Sequence, residues 1–335
     1  MGVGSAGCPM LRIPYQELHQ RLAAALRSLG FTGDRALLCA RLFAETTLDG
    51  VYTHGVSRFP RFVRMIRAGR IDVHAVPELL RGHGALERWD GRCGPGNLNA
   101  WCCMDRALAL ARRDGVGAVA LANTTHWMRG GTYGWQAAGA GFIGICWTNT
   151  LPNLPPWGSD QPRLGNNPLV LAVPRPPAHV VLDMAMSQFS YGALAGYRER
   201  GETLPVDGGF DATGRMTRDP AAIEASQRPL PVGYWKGSGL ALVLDLIAAT
   251  LSGGLATHQI PNDPERETGI SQVFLAFDPT TLGPAEAASQ IADAIVASAG
   301  SRYPGERAVQ LRAENLALGV PVDPAVWREV QEISG

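Results

Sequence analysis

Seven histidines, six cysteines and a single lysine are the side chains in which chemistry can be sought. The segment Thr53-His54-Gly55-Val56-Ser57-Arg58-Phe59 holds the strongest combination. If it enters a helix, His54 and Arg58 stand at i and i+4 and project from one face. An imidazole that donates a proton beside a guanidinium that grips a carboxylate is what reduction of a 2-oxo acid requires. The Thr53 hydroxyl would orient the ring. The plain alternative is a solvated histidine at a helix start with a surface arginine. His126, in Asn123-Thr124-Thr125-His126-Trp127, follows a buried strand. It either meets a substrate at a strand-end loop or is satisfied by its own backbone.

Lys236 is the sole lysine among thirty Lys and Arg residues. In a background that favours Arg so strongly, a retained lysine is expected where a broad planar guanidinium does not fit. Chance survival on the surface is the other reading. Trp235-Lys236-Gly237-Ser238-Gly239 precedes a long apolar helix, so unblocked N–H groups and the helix dipole would join the lysine in an anion site. The spacing is not that of a P-loop. Asp183 closes an apolar strand and would bind ribose hydroxyls or act as a turn carboxylate. Gly165-Asn166-Asn167-Pro168 reads as a turn whose amides line a pocket or only redirect the chain.

Two G-x-G-x-x-G matches lack the mechanism of the dinucleotide fingerprint. Gly2–Gly7 has no strand before it, and Gly139–Gly144 ends a helix and opens a strand, the reverse of what points a helix N-terminus at a pyrophosphate. No histidine or cysteine grouping has metal-ligand spacing, and adjacent Cys102 and Cys103 suit neither zinc nor an ordinary disulfide, so no metal site is expected.

The elements that must carry these groups follow from hydrophobic period. Helices are predicted over 13–29, 36–50 and 59–68, which makes an all-helical N-terminal lobe. A strand over 85–91, a helix over 97–115 and a strand over 117–123 come next. A helix over 133–141 and a strand over 142–150 follow. A Pro-rich stretch then leads to strands over 169–174 and 179–185, a helix over 191–200 and a polar loop. Helix 239–254, strand 271–279, helix 285–299 and a C-terminal helix complete the chain. No apolar run reaches the length that spans a bilayer. Zero net charge recruits neither nucleic acid nor an anionic membrane. The start lacks the features of a secretory signal, so a cytoplasmic enzyme is expected.

THGVSRFPRFV, NTTHWMRGGTYGWQAA, GICWTNT, PPWG, GNNPLVLAVP, VLDMAMSQFSYG, LPVDGGFD and YWKGSG together resemble the malate/L-lactate dehydrogenase family that lacks a Rossmann fold. The resemblance runs from about Met10 to the C-terminus. It implies an α/β fold with a helical N-terminal region and a cofactor domain on a largely antiparallel mixed sheet, like that of L-sulfolactate and malate dehydrogenases. It implies a homodimer that reduces a 2-oxo acid with NAD as cofactor, NADP being open, and a sugar-derived 2,3-diketo acid is favoured. His54 falls on the family's proton donor, Thr53 on a neighbouring hydroxyl residue and Arg58 on the carboxylate-binding arginine. The cofactor strand falls on His179, Val180, Val181, Leu182, Asp183, Met184 and Ala185. The Trp-Lys element falls on Trp235 and Lys236, and a late cofactor loop on Gly305, Glu306 and Arg307. Thr150 matches a substrate-site Ser or Thr.

In ureidoglycolate-oxidising members the histidine matching His126 moves the proton, so the two histidines compete. Glu306 stands where a close relative has histidine. Ala193 replaces the acidic residue of imine-reducing members, which argues against that activity. The resemblance divides the chain into 1–9 as a tag or disordered start, 10–80 helical, 81–125 with 300–335 as an α/β domain, and 126–299 for cofactor and dimer contacts. Other readings are a malate, lactate or sulfolactate dehydrogenase activity, a serine hydrolase using Ser187 or Ser190, and a non-catalytic binding protein. No G-x-S-x-G elbow supports the hydrolase.

Overall fold

A three-residue strand, β1 (Leu11–Ile13), opens the structure, a computed structural model describing residues 10–281, 283, 287–298 and 300–334. The first nine residues, expected to be a tag or disordered start, lie outside the described ones. Helices α1 (Tyr15–Ser28), α2 (Gly33–Leu48) and α3 (Phe59–Arg67) follow. Leu18, Leu22, Ala25 and Leu26 recur at three- and four-residue spacing and are all buried, so α1 forms as predicted. Pro60 lies in the first turn of α3, where its missing N–H costs nothing.

Strands β2 (Glu78–His83), β3 (Leu86–Asp90), β4 (Val116–Thr125), β5 (Ile143–Thr148), β6 (Leu169–Val173) and β7 (Val180–Met184) come next, with α4 (Gly96–Asp114) and α5 (Gly131–Gly139) between them. A small lobe contains α6 (Tyr191–Glu199), β8 (Gly209–Phe210), β9 (Met216–Thr217) and α7 (Pro220–Ser226). Then come α8 (Trp235–Ser252), β10 (Thr268–Phe277), α9 (Ala287–Val296), α10 (Glu306–Leu318), β11 (Val320–Val322) and α11 (Pro324–Ile333).

The seven-stranded sheet has the order β2-β3-β4-β10-β5-β6-β7. Only β3 and β4 are parallel neighbours; every other pair is antiparallel. This is the expected largely antiparallel mixed sheet, and its order is not that of a dinucleotide-binding Rossmann sheet. Helices α4 and α5 cover one face through Met104, Leu108, Tyr133 and Ala137, packed on Val119, Leu121, Cys146 and Phe274. Helix α8 covers the other through Ala241, Leu244 and Ala248, against Ala120, Trp147 and Val273. Strands β4 and β10 are therefore buried on both sides, which accounts for their nearly continuous apolar sequence.

The chain divides into two compact units. One comprises the described residues of Met1–Gly69 and Arg307–Gly335, the other Arg70–Glu306. Both ends of the chain belong to the first unit, where β1 pairs antiparallel with β11, Ile13 opposite Val320.

Helix α8 corrects one expectation. Its 18 residues have a mean hydropathy of 1.2, long and apolar enough to cross a membrane by length and composition, despite Lys236 and Asp245. Asp245 is nevertheless buried, and it accepts hydrogen bonds from Asn149 Nδ2 at 2.8 Å and from the Thr257 N–H at 3.0 Å. A carboxylate held this way is a core feature rather than one at home in lipid.

Candidate active site

In the first unit the segment after α2 folds as two 3-10 turns, Tyr52–His54 and Val56–Arg58, and not as one helix. Gly55 separates them with φ −95° and ψ −135°, an extended break. His54 and Arg58 thus do not share a helix face by an i,i+4 rule, and that expectation is corrected. Both are half-buried.

The Thr53 Oγ1 lies 2.9 Å from His54 Nδ1, as the expected orienting contact requires. A hydroxyl both donates and accepts, so it serves the ring whether Nδ1 is bare or protonated. The turn pair is docked on α2: the Val56 N–H donates to Thr47 Oγ1 at 2.8 Å. A Cβ on Gly55 would lie 2.8 Å from the Thr47 backbone nitrogen, so no side chain fits there. Phe59 is fully buried and meets Phe43 edge-on with ring centroids 5.3 Å apart, which fixes the far end of the turn. Gly55 and Thr47 were missed by motif reasoning. The glycine between His54 and Val56 was the available signal.

In the second unit His126 follows β4, and its Nδ1 accepts the Met128 N–H at 3.0 Å. That bond leaves the ring proton on Nε2 in the neutral form. The loop is held by Trp127, fully buried against Tyr133, whose hydroxyl donates to the Trp127 carbonyl at 2.5 Å. Asp183 on β7 accepts the Gly131 N–H at 2.7 Å, the first residue of α5. The residue is exposed, with the Arg129 side chain nearby. Desolvation there raises its pKa, against the opposing Arg129 charge and the Gly131 hydrogen bond. One carboxylate oxygen therefore caps a helix, the structural role that was the alternative to ribose binding.

β7 is an edge strand, and its Val181 N–H donates to the Pro304 carbonyl at 2.9 Å. The late segment at Gly305 thus lies beside the proposed cofactor strand. Gly305 precedes α10, so Glu306 and Arg307 form the first turn of a helix and not a loop. Alternation along an edge strand turns the Asp183 N–H the same way as that of Val181. His179 accepts the Arg175 N–H on Nδ1 at 3.0 Å, and burial lowers its pKa. The buried Nε1 of Trp135, whose ring is 6.0 Å from that of His179, has no hydrogen-bond partner.

At the start of α8 the anion site expected from free amides is not present. The Lys236, Gly237 and Ser238 N–H groups donate to the carbonyls of Gly233, Val232 and Tyr234. The helix begins at Trp235, four residues before the predicted start, and this uses those amides up. Lys236 is exposed, so within this chain nothing excludes a guanidinium on steric grounds. Trp235 is exposed beside it, and Tyr234 holds φ +58° and ψ −112° while its ring packs 4.9 Å from that of Trp157.

Thr150 is buried at the end of β5, and its hydroxyl lies 3.1 Å from Asn166 Oδ1. Ser190 is exposed and caps α6 by accepting the Ala193 N–H, whereas Ser187 is buried. Among the described residues there is no group of three or more side chains able to hold a metal ion.

These features fit a dinucleotide. The outward Asp183 amide and its carboxylate, an ammonium, exposed aromatic rings and an unpartnered indole N–H match phosphates, ribose hydroxyls and flat rings. Residues 13–331 match the family model described as malate/L-lactate dehydrogenase. The chain is 45% identical over 333 residues to 2,3-diketo-L-gulonate reductase of Shigella boydii, covering 96% of this chain and 100% of that protein. The sulfolactate dehydrogenase of Methanocaldococcus jannaschii superposes with a TM-score of 0.89 at 25% identity, covering 96% of each chain. The malate dehydrogenase of Pyrococcus horikoshii gives 0.86 at 27% identity, covering 100% of this chain and 97% of that one.

Proposed function

Because the chain belongs to the malate/L-lactate dehydrogenase family of nicotinamide-dependent oxidoreductases acting on CH–OH groups, we propose that it reduces 2,3-diketo-L-gulonate at C2 with NADH. The observation that carries this is full-length similarity to enzymes named for that substrate. The nicotinamide, when bound, supplies the hydride. In this reading Arg58 holds the substrate carboxylate as a bidentate fork. His54 gives its proton to the oxygen formed at C2, which leaves a hydroxyl and a neutral ring. Thr53 accepts from Nδ1–H throughout and so holds the ring orientation while Nε2 gives up its proton. Thr150 contacts the substrate, and His126 is the competing proton donor. His179 to Ala185, Trp235, Lys236 and Gly305 to Arg307 would hold the cofactor.

We place the enzyme in the cytoplasm as part of the same proposal, since the five described cysteines are free thiols and suit a reducing compartment. We also propose a homodimer. The outward residues Leu240, Val243, Ile247 and Leu251 of α8 form an exposed apolar stripe that a second copy would cover. The test is a panel of 2-oxo acids with NADH and NADPH, followed by loss of reduced cofactor absorbance. Faster turnover of malate- or lactate-related acids than of the diketo acid would overturn the substrate assignment.

A further inference from the structure

Three side chains leave the end of β5 and the turn before β6 to grip one stretch of α8. Trp147 Nε1 donates to the Leu244 carbonyl at 3.0 Å, Asn149 Nδ2 to Asp245 Oδ1 at 2.8 Å, and Asn167 Nδ2 to the Ala241 carbonyl at 2.8 Å. Asn167 is fully buried, and its other amide atom turns the opposite way. Its Oδ1 accepts the Thr150 N–H at 3.1 Å and lies 3.5 Å from the Thr150 hydroxyl. One side chain therefore bonds to both the residue assigned to the substrate and the helix assigned to the cofactor.

The surrounding sequence serves this bridge. A Cβ on Gly165 would collide with the Asn167 amide and the Thr150 hydroxyl, so only glycine lets the turn close. Asn166 accepts from Thr150 Oγ1 at 3.1 Å and from Asn153 Nδ2 at 3.3 Å, while Asn153 Oδ1 accepts the Asn166 N–H at 2.8 Å. The turn is thus cross-braced on the Thr150 side. On the α8 side the three grips fall within Ala241–Asp245, little more than one turn. They fix both the rotation and the axial position of the helix. Lys236 lies five residues earlier, about 7.5 Å along the axis, so a slip at Ala241 is passed undiminished to the lysine.

We infer that Asn167 is a positioning residue, which with Trp147 keeps Thr150 and the Lys236 end of α8 in one register. This rests on the reading of Lys236 as a cofactor contact and Thr150 as a substrate contact. The asparagine bonds a buried helix carbonyl and the buried Thr150 amide at once, which serine is too short to do. Trp147→Phe removes the bond to Leu244 and some ring volume but keeps an aromatic ring in the core.

The experiment compares wild type, Asn167→Ser and Trp147→Phe in three measurements. These are fluorescence titration of NADH without substrate, kcat and KM for the diketo acid, and thermal melting. Both variants are expected to weaken NADH binding at least fivefold and lower kcat at least tenfold at a temperature where each is fully folded. If only the melting temperature moves, with NADH affinity and kcat at wild-type values, Asn167 is core packing and the inference is overturned. If Asn167→Ser does not fold, Trp147→Phe decides on the same criteria. Failure of the wild-type protein to bind NADH or NADPH would refute the functional reading instead, a different result.

Discussion

Gly55→Ala tests how closely the His54 turn is set on α2. The new Cβ would collide first with Thr47 Oγ1 and, behind it, stand 2.8 Å from the Thr47 backbone nitrogen and 3.1 Å from its Cα, where ordinary contact begins at 3.4 Å. Backbone of a packed helix does not yield, so the turn must retreat by about 0.6 Å. That strains or breaks the Val56 N–H bond to Thr47 Oγ1, now 2.8 Å. Overpacking of this kind costs about 1–3 kcal/mol of stability. A misplacement of about 1 Å at a reacting group lowers rate about 100-fold, so a loss of about 10- to 100-fold in kcat is expected. NADH affinity should hold. The assay is steady-state kinetics beside a thermal melt and an NADH titration. Thr47→Ala, added to Gly55→Ala, removes the nearest clashing atom but leaves the nitrogen and Cα in place and deletes the Val56 acceptor, so at most partial rescue is expected. Wild-type kcat in Gly55→Ala, or full recovery in the double variant, would refute the argument from the helix backbone.

His54→Ala is expected to lower turnover by about 100-fold or more with NADH affinity unchanged, as for a lost general acid. Near-normal turnover there, with loss in His126→Ala, would move the proton donor to His126. Lys236→Arg should leave the melting temperature alone, since the residue is exposed, and weaken NADH binding severalfold by calorimetry; an unchanged affinity would return the lone lysine to coincidence. Glu87 is held below the usual carboxylate range chiefly by its hydrogen bonds from Arg106, at 2.8 and 2.5 Å. A depressed carboxylate contributes stability above its unfolded pKa and loses it as pH falls through its folded value. Glu87→Gln should therefore destabilise at pH 7 by about 1–2 kcal/mol, with Arg106 partly exposed, and the difference should begin to shrink as pH falls below the ordinary value of 4.5 and vanish only once pH passes below the depressed folded value. A pH-independent difference would contradict it.

The helices and inner strands were legible because each buries a face at a regular period, as Leu18, Leu22 and Leu26 do. β2 was not, because all six of its residues are exposed and nothing makes them alternate. α10 was missed for a related reason: its only fully buried residue is Asn315, so its apolar pattern is faint. β1 and β11 are three residues each and find one another across the whole chain, beyond any local signal. At the site, the Thr53–His54 contact was legible because it is local. The supposed helix through Arg58 failed because Gly55 takes an extended conformation that lets the chain press on Thr47. The free amides expected before α8 failed because the helix starts earlier than its apolar stripe.

The joining of both chain ends in one unit has a consequence for synthesis on the ribosome. Asp49, five residues before His54, is held by Arg312 Nε at 2.6 Å, and Leu48 by Asn315, partners more than 260 residues downstream. At about 5–20 residues per second, the His54 segment emerges roughly 15–50 s before those partners exist. The seven-stranded sheet needs nothing beyond β10 for its strands, so it can close first. The nascent enzyme is then expected to acquire a folded second unit while the His54 turn still lacks its support. Emergence of the segment from Arg307 onward becomes the step that completes the first unit. Stalled chains ending before Arg307 should therefore resist protease across the sheet but be cleaved near Gly50.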